Sequence, residues 1–193
     1  MAKLQRRSPL AGFHEGRAAD AALEVTLEER PFASLTQICI ADGKEDAVAG
    51  ALGVALPAHA GESGAATGST VLHVGPRRYW LLDEGTEKPV ATALEAMDGV
   101  CTLDITHART RFTVLGEKAR ALLQKGLMID LHPAATPAGR VIMSVIAKVQ
   151  VCVLVRANAY ESPARFDVFV SPAFAVSLWE WFLNAGAEFG IET

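Results

Sequence analysis

Asp104-Ile105-Thr106-His107-Ala108-Arg109-Thr110-Arg111-Phe112-Thr113-Val114-Leu115-Gly116, followed after two residues by Ala119-Arg120-Ala121-Leu122-Leu123, sets a polar turn between apolar runs with helical spacing after them. Val100 to Ile105 and Arg111 to Leu115 are rich in branched residues and read as strands. Glu117 to Lys125 carries Ala119, Leu122 and Leu123 at helical spacing, and Gly126 stands where a helix-ending glycine is favoured. Asp104-Ile105-Thr106-His107 is the most pointed polar cluster and lies between the two strands. Aspartate in such a place commonly hydrogen-bonds the backbone of its own turn, and that role is favoured over contact with a ligand.

The same order of elements occurs on both sides of this segment. Downstream, Leu131 to Gly139 is a loop, and Val141 to Lys148, Val151 to Arg156 and Phe166 to Val170 are strands. Ser171 and Pro172 open a last helix, Ala173 to Ala187. Upstream, Leu35 to Ile40 is a strand, and Asp42 caps a helix carrying Ala47, Val48, Ala51 and Leu52 up to Gly53. Pro57 to Gly68, rich in Gly, Ala and Ser, reads as a loop. Val71 to Val74 and Tyr79 to Leu82 form a hairpin about Gly75-Pro76-Arg77-Arg78, and Pro89 to Met97 is a helix. The expectation is an α+β fold: one domain, residues 21–193, of two related strand-helix-strand lobes (about 21–99 and 100–193) with mainly antiparallel sheets. Residues 1–20 form an N-terminal arm, read either as a frayed tail or as a segment that orders on a partner.

Composition narrows the function classes. In 193 residues, 50% are hydrophobic and the formal net charge is -4, so a packed core is expected and a polyanion partner is not. Lys and Arg do not interleave with aromatics as nucleic-acid binding requires. The apolar run Val141 to Val155 is interrupted by Ser144, Lys148 and Gln150, which excludes a bilayer crossing, and no secretory signal follows Lys3, Arg6 and Arg7. A cytoplasmic protein is expected. Cys39, Cys101 and Cys152 read as buried thiols in a reducing compartment.

Motifs of catalysis are missing. There is no dinucleotide fingerprint and no Walker loop, and Gly61-Glu62-Ser63-Gly64-Ala65 lacks the last glycine of a nucleophile elbow. The five histidines show no ligand spacing. Cys101 and Asp104, three apart on a strand, point to opposite faces and form no triad. No catalytic, cofactor-binding or metal-binding residue is expected on this chain. The last helix carries one apolar stripe of Phe174, Leu178, Phe182 and Ala185 and a second of Val176, Trp179 and Leu183. Such a helix is either sunk in the core on both sides or presents Trp179 to another subunit.

The quoted stretch resembles the Asp-x-Ser-His…Gly-x-x-Ala-x-x-Leu signature of the glycine-cleavage T-protein fold, with Thr106 in place of serine. Further motifs are similar to those of the gamma subunits of heterotetrameric sarcosine oxidase. These are Pro31-Phe32, Leu52 to Pro57, Val74-Gly75-Pro76-Arg77-Arg78-Tyr79-Trp80-Leu81-Leu82, Asp130-Leu131-His132-Pro133 and the closing strand and tryptophan-bearing helix. Arg77-Arg78 replaces an acidic pair, and Tyr79 is an additional residue before Trp80.

That resemblance implies a structural and assembly role in a complex that oxidatively demethylates sarcosine. It implies alpha, beta and delta subunits as partners, with FAD, FMN, NAD, tetrahydrofolate and zinc held on them and none on this chain. Candidate partner contacts are Arg6, Arg7, Arg77, Arg78 and Trp179. Candidate family-motif residues are Asp104, His107, Trp80 and His132. The rival reading is a stand-alone folate-binding or aminomethyltransferase-like protein, and a divergent relative serving another amine is a third.

Overall fold

The computed structural model describes residues 7–11, 23–32, 34–66, 68–85, 93–160 and 162–193. Two sheets face each other. The first contains β1 (Val25–Glu29), β7 (Thr110–Gly116), β8 (Val141–Ile146), β9 (Val149–Ala157), β10 (Ala164–Val170) and β11 (Ile191–Glu192), in the order β11-β1-β7-β10-β9-β8. The second contains β2 (Ser34–Ile40), β3 (Ser63–Ala66), β4 (Ser69–Gly75), β5 (Arg78–Asp83) and β6 (Val100–Asp104), in the order β3-β4-β5-β2-β6. Among the described residues, all strand pairs are antiparallel except β1 with β11.

Period-two patterning explains the layers. On β10, Phe166, Val168 and Val170 enter a cluster with α2 (Ala119–Gln124) and α3 (Pro172–Gly186), while Phe169 points the other way, toward the second sheet. On β2, Ile38 and Ile40 pack beneath α1 (Glu45–Leu52) with Val48 and Leu52, while Leu35 enters the layer between the sheets. That middle layer joins Phe32, Leu72, Trp80 and Leu82 of one side to Val141, Cys152, Leu154 and Phe169 of the other. The result is helix, sheet, sheet, helix.

The sequence expectation of an α+β fold with mainly antiparallel sheets agrees with this arrangement. The boundary near residue 99 does not coincide with the sheets. β1 lies in the sheet of the second half, against β7, and β6 lies in the sheet of the first half, against β2. Each half thus lends the other a strand.

Local differences have local causes. Part of the expected loop at 57–68 is β3, and Glu62 bridges Arg140, tying the edges of the two sheets together. The residue capping α1 is Lys44 rather than Asp42. Gly126 does not have the left-handed conformation of a helix-ending glycine; a Cβ there would lie 2.6 Å from the Trp181 ring, so close packing requires the glycine. The expected arm is anchored where it is described: Leu10 is buried in the main core and the Ser8 hydroxyl donates to the Glu29 carboxylate at 2.5 Å. Arg6 and the remainder of the arm lie outside the described residues, as does the first half of the expected Pro89–Met97 helix.

The last helix is sunk on both sides. Leu178, Trp179 and Phe182 are buried, and Trp179 is 1% exposed with its ring edge-on to Phe112 at 5.4 Å. Trp179 is therefore not a surface that a partner could reach, because the chain's own core covers it. Phe174, at the start of the helix, is the stripe residue left exposed.

Candidate partner-facing cleft

Where the two sheets diverge, a cleft of about 660 Å³ opens. Trp80 of β5 forms one wall and Phe169 of β10 the floor, with ring centroids 6.2 Å apart in edge contact. The Arg109 guanidinium lies 5.2 Å from the Trp80 ring centroid, within cation–π range. The Trp80 Nε1–H donates to Gln37 Oε1 at 3.4 Å. Met143, Val145 and Lys148 on the β8–β9 hairpin form the outer rim with Phe174. Met143, Val145 and Phe174 are exposed by 54%, 44% and 52%.

The hairpin sets this rim by backbone geometry. Ala147 and Lys148 both have positive φ, 48° and 70°, the turn form that matches the twist of two paired strands. β8 is also a sheet edge. Val141 N–H donates away from β9 to Gly61 O at 2.8 Å, so Met143 and Val145, two and four residues on, also direct their backbone groups outward. β8 has no charged residue or proline among Val141–Ile146, so it lacks the usual devices that keep an exposed edge from pairing.

The cleft is cationic and holds no carboxylate among its lining residues. Its one thiol, Cys152, is buried, and desolvation pushes it up to about 12 despite the opposing influence of Arg109. A thiol so placed is not a nucleophile near neutral pH. The arrangement suits recognition of an apolar, anionic surface.

The Asp104 turn delivers Arg109 to this place. Asp104 Oδ1 accepts the Thr106 N–H at 2.8 Å, so the aspartate caps its own turn. Bonds from the Thr106 hydroxyl and, next, the Thr106 backbone hold the Asp104 carboxyl below its ordinary range. Thr106 Oγ1 in turn accepts the Leu35 N–H at 2.9 Å, fastening the turn to β2. His107 is exposed and does not line the cleft. His132 is exposed elsewhere, with its N–H donating to Asp130 Oδ1 at 2.8 Å and its ring against Tyr160. Arg77, in the β4–β5 turn, pairs with Asp42 at 2.8 Å, and Arg78 and Arg7 are exposed. The sequence-selected residues that are described thus do not converge on one site; among them, only Trp80 lines the cleft.

Sequence reasoning missed Arg109, Lys148 and the β8 rim as site residues. The signal was present in the uncharged run Val141-Ile142-Met143-Ser144-Val145-Ile146 next to a lone lysine. It also missed a buried ionic cluster between the sheets. Asp167, fully buried, accepts from Arg156 Nε at 2.7 Å and Thr113 Oγ1 at 2.8 Å, with Arg111 at 3.5 Å. Glu84, just past β5 of the other sheet, pairs with Arg111 and, at 3.1 Å, with Arg156. This cluster fastens the two walls of the cleft to each other.

Comparison with known proteins agrees with this fold. The family model described as GCVT N-terminal domain matches residues 34–193. A sarcosine oxidase subunit gamma from Arthrobacter sp. is 32% identical over 76% of this chain and 75% of its own length. A sarcosine oxidase subunit gamma from Corynebacterium sp. (strain U-96) is 30% identical over 95% of this chain and 91% of its own. A chain of the heterotetrameric sarcosine oxidase from Corynebacterium sp. U-96, solved in complex with pyrrole 2-carboxylate, superposes with a TM-score of 0.81 at 29% identity, covering 95% of this chain and 96% of that one. Glycine cleavage system aminomethyltransferase T from Bartonella henselae shares the fold, with a TM-score of 0.59 at 12% identity, over 95% of this chain and 58% of its own. The chain belongs to the sarcosine oxidase gamma-subunit family, within the GCVT N-terminal domain fold.

Proposed function

We propose that the chain serves as the assembly subunit of a cytoplasmic heterotetrameric sarcosine oxidase, docking through its cleft and the β8 edge onto the flavoprotein subunits. The carrying observation is the cleft rim: three exposed apolar side chains on and beside an open strand edge, with two cations and no carboxylate. A stable interface of this kind normally buries at least ~1,000 Å² in total, so the rim would act together with the surface around it. Alpha, beta and delta chains are the partners in this reading, and FAD, FMN, NAD, tetrahydrofolate and zinc belong to them. The near full-length similarity to gamma subunits favours this over a stand-alone folate-binding or aminomethyl-transfer protein, for which the aminomethyltransferase likeness supplies the fold alone.

The test is to tag the chain in its native host and purify it gently. A yellow particle far heavier than 20.5 kDa with sarcosine-dependent oxygen uptake is expected. A colourless particle of one chain overturns the proposal, and heat on titration with tetrahydrofolate would then favour the rival reading.

A further inference from the structure

We propose that Cys39 and Cys101 are an oxidisable thiol pair that closes to a reversible disulfide between β2 and β6 on exposure to hydroperoxide. The register places Cys39 directly opposite Cys101 in the antiparallel β2–β6 ladder, so their side chains share one face. Cys101 is exposed and Cys39 half-buried, and both border an open depression with Arg77 and Arg78. Across β2 on the other side, Arg78 stands opposite Cys39. The row across three strands therefore reads cation, thiol, thiol.

Ladder geometry fixes the character of the bond. Ile105 N donates to Leu35 O and Ala41 N to Gly99 O, and Cys39 and Cys101 share the parity of these pairs, so they occupy a hydrogen-bonded position. Such pairs have Cα atoms about 5.5 Å apart, inside the range of disulfides. Their Cβ atoms must still be drawn together toward ~3.8 Å, so the bond forms under strain and is easily reduced.

The chemistry balances. One thiol sulfur attacks hydrogen peroxide, is oxidised to the sulfenic acid, and one water leaves. The second sulfur then displaces the sulfenic oxygen, which departs as a second water with the remaining thiol proton. Two thiols lose two electrons and two protons, and the peroxide becomes two waters.

The experiment treats the full chain with equimolar hydrogen peroxide and maps it by mass spectrometry without reduction. The expected product has lost two hydrogens, links the peptides bearing Cys39 and Cys101, and reverts with dithiothreitol. Cys101→Ser should instead accumulate oxygen on Cys39, while buried Cys152 stays a thiol in both. Oxygen added to each cysteine without a link, bridges only between molecules, or no reaction would each overturn the proposal.

Discussion

Asp167→Asn tests what holds the two walls of the cleft together. The wild-type cluster sets Arg111 and Arg156 against Asp167 and Glu84, with Arg165 a further 4.0 Å from Asp167. Asp167 is fully buried and the Arg111 side chain is 4% exposed, so solvent cannot replace the lost charge. Breaking such a buried pair costs about 3–5 kcal/mol. Asparagine keeps an acceptor for Thr113 or Arg156, which places the expected loss near ~3 kcal/mol. Against a domain stability of ~5–15 kcal/mol that is a large fraction, and for a chain of this size it lowers Tm by roughly 6–12 °C. Glu84→Gln removes the same charge from the same cluster, but Glu84 is 38% exposed and water screens it. Its expected loss is ~1 kcal/mol or less. Urea unfolding followed by tryptophan fluorescence gives both numbers by linear extrapolation. Equal losses for the two variants, or a loss below ~1 kcal/mol for Asp167→Asn, would falsify the idea that burial makes Asp167 the keystone of the cluster.

Trp179→Ala empties a core site, so stability should fall by about 3–5 kcal/mol; a variant as stable as wild type that fails only to assemble would return Trp179 to the interface. Ala147→Asn with Lys148→Gly installs the residues that the hairpin turn prefers, relieving two left-handed non-glycine positions. A gain of ~1–2 kcal/mol is expected by thermal melting, and a loss would show that the turn carries no strain. The Asp104 carboxyl is depressed in the folded chain, so its contribution is present above the ordinary carboxylate value of ~3.9 and is lost as pH falls below it. The stability difference between wild type and Asp104→Asn should thus be constant from neutral pH to about 4 and shrink below it; a difference that shrinks already near pH 6 would contradict this sign.

The legible parts of the fold were those with local patterning. The turn residues at Pro76 and Arg77, the branched residues of β2 and the helical spacing of α3 are each visible within a few residues. Less legible was whatever depends on a distant partner. β1 and β11 are short and gain their strand character from pairing with β7 and with each other across the whole chain. β3 is made of Ser, Gly and Ala, whose composition signals a loop, and β4 beside it makes it a strand. The same reason hid Arg111 and Asp167: a charge within a strand reads as a solvent-facing residue until the opposite charge arrives from another strand. Trp179 was undecidable because an apolar face tells that a helix is covered without telling by what. Cys101 was expected to be buried in an apolar run, but β6 is a sheet edge and leaves it exposed.

The strand exchange between halves ties the two walls of the cleft to each other. Neither sheet can be completed by its own half of the chain, so an opening motion between the lobes would have to strip β6 from β2 or β1 from β7. The turn Asp104 to Arg109 sits on that crossing: it leaves β6 in one sheet, is fastened to β2 through Thr106, and enters β7 in the other. Arg109 is therefore positioned by both sheets at once. A side chain held in that way loses little further freedom on binding, which is the condition under which a small rim can hold a partner tightly. The motif that marks the family at the sequence level is, in this structure, a joint between sheets, and its chemistry is that of positioning.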